Sequence, residues 1–122
     1  MEEEIQQQLI EFERSRNQLL NITAQKQQMQ MQAGALEQSI DELQKTKEKR
    51  VFKAVGNILI QADTTKVKKE IEEKKESMDL RIKALQKQEE SLVNRMNKLK
   101  SEIEKAQKTG ETVTEKDMAE KY

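Results

Sequence analysis

At 122 residues, with 38% charged and 34% hydrophobic residues, two phenylalanines, one tyrosine and no tryptophan, the chain is too polar to build an ordinary globular core. Without histidine or cysteine it has no histidine acid–base chemistry, no Ser-His-Asp triad and no soft metal site, and 23 basic against 23 acidic residues give no support for nucleic acid as a main partner. The absence of proline, only three glycines and a wealth of Glu, Lys, Gln and Leu point instead to long helices or coiled coil.

The first predicted element is a helix over about 4–49. Ile5, Leu9, Phe12, Leu19, Ile22, Met29, Ala33, Leu36, Ile40 and Leu43 recur at alternating steps of three and four, with Arg16, Lys26 and Lys47 at the remaining seam positions. Glu2, Glu3 and Glu4 at the start and Lys45, Lys47, Lys49 and Arg50 at the end both suit the helix dipole. Counted through Arg16, two three-residue steps fall in succession near Leu19, which predicts a heptad discontinuity there. Gly34 sits in the helix interior, where it costs about 1 kcal/mol relative to alanine, so a close helix contact or a bend is expected at that point.

The next stretch, V-F-K-A-V-G-N-I-L-I-Q-A-D from Val51, is the only one with β character. Two β-branched and aromatic runs flank Gly56-Asn57, the residue types that accept positive φ at least cost, so a β-hairpin over about 51–62 is predicted. The two-residue turn pairs Val55 with Ile58, Ala54 with Leu59, Lys53 with Ile60 and Phe52 with Gln61, and leaves apolar side chains on both faces. An isolated two-stranded hairpin is marginal in water and has open edges, and the chain has no other strand to cover them. Val51, Phe52, Val55, Gly56, Asn57, Ile58, Leu59 and Ile60 are therefore the predicted oligomer interface, and the protein is expected to be an obligate oligomer.

A second helix follows over about 65–109, with Asp63, Thr64 and Thr65 as candidate N-caps and Gly110 as a natural stop. Its seam runs Ile71, Met78, Ile82, Leu85, Leu92, Met96, Leu99, Ile103 and Ala106, interrupted by Lys75 and Glu89. Two helices of nearly equal length joined by a tight hairpin must run antiparallel. Leu43 is then expected beside Ile71, Leu36 beside Met78, Leu19 beside Met96 and Phe12 beside Ile103, with Lys26 opposite Glu89. At the open end Ile5, Leu9 and Phe12 meet Leu99, Ile103 and Ala106 with no third element over them, so apolar surface is expected there. Residues 110–122 read as a flexible tail, in which Thr114 and Asp117 could cap a short terminal helix.

No phosphate-cradling glycine motif occurs, and the carboxylates read as a solvated helix face. No apolar run approaches the roughly 18 residues of a membrane span, and Met1-Glu-Glu-Glu is unlike a basic leader, so a cytoplasmic protein is expected. Neither an enzymatic activity nor a cofactor or metal is expected.

The order long helix, single hairpin, long helix resembles a β-class prefoldin subunit. Roughly residues 5–108 carry the resemblance, most specifically V-F-K-A-V-G-N-I-L-I and, in the second helix, R-I-K-A-L-Q-K-Q-E-E. It implies a mainly α fold over residues 1–122 as a single domain, a long antiparallel two-helix coiled coil whose one hairpin completes an intersubunit β-barrel. It also implies a hexamer with α-class subunits and an ATP-independent holdase that captures unfolded polypeptides and delivers them to a group II chaperonin. On that implication Ile5, Leu9, Phe12, Leu99, Ile103 and Ala106 are the candidate client-binding residues. The alternative from another class is a structural or tethering coiled coil without chaperone activity.

Overall fold

The structure, a computed structural model, describes residues 2–110, so the expectations for the tail lie outside the described residues. In chain order it holds α1 (Glu2–Lys45), β1 (Arg50–Val55), β2 (Ile58–Asp63) and α2 (Thr64–Gly110). Two compact units divide this chain, one combining α1 up to Ala24 with α2 from Gln86, the other spanning Gln25–Leu85.

α1 begins on three glutamates that complement its positive end and closes on Lys45. It ends earlier than residue 49: the Thr46 amide donates to the Glu42 carbonyl at 3.1 Å, and the Thr46 hydroxyl then accepts from the Glu48 amide at 3.2 Å, turning the chain out of the helix. α2 is capped by Asp63, whose Oδ1 accepts from the Thr65 amide at 3.3 Å. Thr64 ties the start of α2 to the end of the α1–β1 link. Its amide donates to the Lys49 carbonyl at 3.0 Å and its hydroxyl to the Glu48 carbonyl at 2.8 Å.

In each unit the core is a seam rather than an interior, with no side chain fully enclosed among the described residues. In the Gln25–Leu85 unit its buried members are Ala33, Ile40 and Val67, and in the other unit Ser15, Leu99 and Ile103. Three sequence expectations need correction here. Ser15, not Arg16, occupies the seam after Phe12: Ser15 is 5% exposed while Arg16 is exposed and pairs along its own helix with Glu13 at 3.6 Å. A small hydroxyl can be buried where a guanidinium cannot. With Ser15 in place the three-four alternation runs unbroken from Phe12 to Ile22, and the expected discontinuity near Leu19 is absent. The α2 seam also starts one turn before Ile71, at Val67.

The third correction concerns Gly34, which is exposed and has open space around the position a Cβ would take. No close helix contact requires a glycine there. Gly34→Ala is therefore expected to raise stability by about 1 kcal/mol through the reduced entropy of the unfolded chain, read as an upward shift of the helical unfolding midpoint; an unchanged or lower midpoint contradicts it.

Candidate functional site

The hairpin is a two-stranded antiparallel sheet in the predicted register, from Val55 opposite Ile58 down to Arg50 opposite Asp63. Gly56 has a φ of 61° and among the described residues no non-glycine has a positive φ, so the turn follows the type II′ pattern with glycine at its first central position. A two-residue turn makes Val55 and Ile58 a hydrogen-bonded pair. By alternation Lys53 with Ile60 and Val51 with Ala62 are bonded too, and the Thr64 to Lys49 bond continues the series. The backbone groups of Phe52 and Ala54 on one strand, and of Leu59 and Gln61 on the other, consequently point away along open edges.

The two faces of this sheet differ. Val51, Lys53, Val55, Ile58, Ile60 and Ala62 share the face turned toward α2, because the Lys53 ammonium reaches the Glu70 carboxylate at 2.6 Å. Val51 and Ala62, nearest the helices, are half-buried, whereas Val55, Ile60 and Ile58 toward the turn are 47%, 45% and 61% exposed. The opposite face presents Phe52 at 68% and Leu59 at 70% exposure. Every predicted interface residue thus lies on this sheet or its turn, and apolar groups are open to solvent on both sides of it.

Polar contacts in the Gln25–Leu85 unit tie the hairpin and the helices together. Besides the Lys53 to Glu70 pair, Arg50 donates to the Gln61 side chain across the strands at 3.4 Å, and Lys75 bridges Glu37 on α1 at 3.3 Å and Asp79 on its own helix at 3.0 Å. The hydrogen bond and charge of Lys53 hold the Glu70 carboxyl below its ordinary value, and the hydrogen bonds to Asp79 and Glu37 hold Lys75 above its own. The stabilisation from Glu70 is present above the ordinary glutamate pKa and is lost as pH falls through the depressed folded value. That from Lys75 is present below the ordinary lysine pKa and is lost as pH rises through the raised one. Between about pH 5 and pH 3, Lys53→Met is accordingly expected to lose stability less steeply with acid than the parent. Thermal unfolding followed at a series of pH values reads this, and identical slopes would contradict it.

In the other unit, Ile5 and Phe12 are half-buried on α1, and Ala106 on α2. Leu99 and Ile103 are buried, at 6% and 4% exposure, and so lie beneath this surface rather than on it. Leu9 is 38% exposed because Gln8 takes the inward position, donating to Glu102 at 3.3 Å. Beside Leu9 stands Ile10, 59% exposed, which falls outside the three-four pattern and was legible only as an apolar residue without a seam partner. Arg95 pairs with Glu11 across the helices. Farther along, Glu89 accepts from the Thr23 hydroxyl at 2.6 Å.

Among the described residues no cluster of side chains suits a metal, and no described helix is long and apolar enough to cross a membrane. What the geometry offers is an exposed two-faced hairpin and apolar ground near the start of α1. A family model described as prefoldin subunit matches residues 6–110. The chain belongs to the prefoldin family, in its β class. Prefoldin subunit beta of Archaeoglobus fulgidus is 39% identical over 102 residues, covering 71% of this chain and 88% of the relative. Prefoldin subunit beta of Thermococcus onnurineus is 30% identical over 104 residues, covering 84% and 90%. The crystal structure of the prefoldin beta subunit from Thermococcus strain KS-1 superposes with a TM-score of 0.80 at 28% identity, covering 84% of this chain and 91% of that one. The prefoldin arrangement of two long helices and one antiparallel hairpin is therefore shared in fold as well as in sequence.

Proposed function

We propose that this prefoldin subunit works in the cytoplasm as part of an ATP-independent holdase, joined through its hairpin to α-class subunits in a hexamer whose strands close into a β-barrel. Its coiled-coil ends capture unfolded polypeptides and pass them to a group II chaperonin. The observation that carries this reading is the sheet with apolar side chains exposed on both faces and both edges open. Such a surface is an aggregation hazard unless other strands cover it, and pooling strands from several subunits into a barrel pairs both edges and covers the inward face.

Near the start of α1, Leu9 and Ile10 offer open apolar surface, with Ile5, Phe12 and Ala106 of the same unit half-buried. Leu99 and Ile103 support that surface from below and become available to a client where the last turns open. A binder that prefers unfolded chains withdraws them from aggregation by mass action. Several weak ends on one assembly gain in effective concentration what each lacks in affinity.

The test is to mix the chain with an α-class prefoldin subunit, measure the mass of the product by sedimentation, and then follow aggregation of a chemically denatured protein with and without the complex in the absence of ATP. A defined multi-subunit complex that suppresses aggregation is expected. A chain that stays apart from the α-class subunit refutes the assembly, and a complex without effect on aggregation refutes the holdase.

A further inference from the structure

We propose that the Lys53–Glu70 ion pair is a positioning strut that holds the hairpin in one pose on α2 and thereby sets the geometry in which it joins other subunits. Lys53 is the one charged residue among the six on its face of the sheet, set between Val51 and Val55 and opposite Ile60. A lysine there interrupts an otherwise apolar surface. Its ammonium does not turn to solvent but reaches Glu70, in the second turn of α2, at 2.6 Å. Among the described residues the hairpin's other polar fixings are the two bonds from Thr64 to Glu48 and Lys49 at its base, where Val51 and Ala62 are half-buried. Two attachments close together leave a sheet free to tilt about its base; a third, three residues up the strand, removes that freedom. Val55 and Ile58, beyond the strut, and Ile60, level with it, remain 47%, 61% and 45% exposed, so their own contacts hold the pose only weakly.

Both partners are close to half-exposed in the single chain, with side-chain exposures of 41% and 51%, where an ion pair contributes little to folding. Its value lies in assembly. A pre-set hairpin loses less freedom on joining its neighbours. A second reading of Lys53 is that it only guards an exposed sheet from unwanted pairing, as inward-pointing charges do. That role asks for a charge on the face and not for Glu70, so the two readings separate by experiment.

The strut rests on the reading that the hairpin is the assembly element. Four chains are compared in titrations with an α-class subunit by sedimentation velocity: the parent, Lys53→Glu, Glu70→Lys and the double swap. The thermal midpoint of each chain alone is also measured. Each single reversal is expected to weaken assembly by roughly two- to fivefold or more, with the midpoint little changed, and the double swap to recover most of the loss. At high salt the differences among the four shrink. Lys53→Glu that assembles like the parent, or a swap no better than the single reversals, overturns the strut while leaving the assembly reading intact. A parent chain that does not join the α-class subunit overturns the assembly reading and the strut together.

Discussion

Replacing Ile58 and Ile60 together with aspartate is expected to leave a helical chain that no longer enters the larger complex. The two side chains are 61% and 45% exposed in the single subunit, on a strand that starts at the turn. Covering a fully exposed isoleucine contributes about 1.5–3 kcal/mol, and these two half-exposed side chains together have about that much left to gain, so removing both from an interface takes away roughly 1.5–3 kcal/mol, or one to two orders of magnitude in the association constant. Two carboxylates placed in the same interface without partners add a desolvation cost. The helices lose little, because their seam is built from other residues: Ala33, Ile40 and Val67 in the unit that carries the hairpin. Helical circular dichroism close to that of the parent, with sedimentation as a free subunit in the presence of an α-class partner, is the expected pair of results. A variant that assembles at parental concentrations would exclude the hairpin as the main interface. Phe52→Asp and Leu59→Asp on the opposite face, at 68% and 70% exposure, report whether that face too is covered in the assembly: loss of assembly is expected if it is packed, and retention if it faces outward.

Much of this was legible in the residues, and the reasons differ by element. The register of the hairpin could be read to the residue, though its strands run one residue farther at each end than 51–62, because Gly56-Asn57 fixes a two-residue turn, and a two-residue turn fixes every cross-strand pair. Which face of the sheet meets α2 was not legible, since apolar residues occupy both faces and the deciding contact, Lys53 with Glu70, joins residues brought together by the chain reversal. The seam was readable wherever large aliphatic residues mark it. It failed at Ser15, where counting apolar residues favours no position and the choice between serine and its arginine neighbour is made by burial cost. Gln8 and Leu9 pose the same problem at the start of α1. An amide that donates to Glu102 takes the inward place, and the leucine that periodicity assigned to the seam stands outside. Polar seam residues depend on partners from the other helix, and a single helix's pattern does not contain that partner.

That swap of Gln8 and Leu9 shapes the last expectation, which concerns client capture. Leu9 and Ile10 form adjacent apolar ground at 38% and 59% exposure, while Ile103 at 4% belongs to the support beneath. The two kinds of residue should respond differently to substitution. Leu9→Ser with Ile10→Ser removes surface a client can touch and takes little from the seam, so assembly and thermal midpoint should stay near the parent while suppression of aggregation falls. Loss at every end of a multivalent complex multiplies, because each weakened contact lowers the effective gain of the others. A several-fold rise in the amount of complex needed for half-suppression is the expected size. Ile103→Ala instead empties a buried position, at about 2 kcal/mol or more, and should loosen the packing around Leu99 and Phe12. Its signature is faster amide exchange in the last turns of α2, with client binding altered only as a consequence of that opening. If the Leu9 and Ile10 pair can be replaced without any change in suppression while assembly is intact, the exposed ground at the start of α1 is not where clients bind, and capture has to be sought on another surface of the assembled complex.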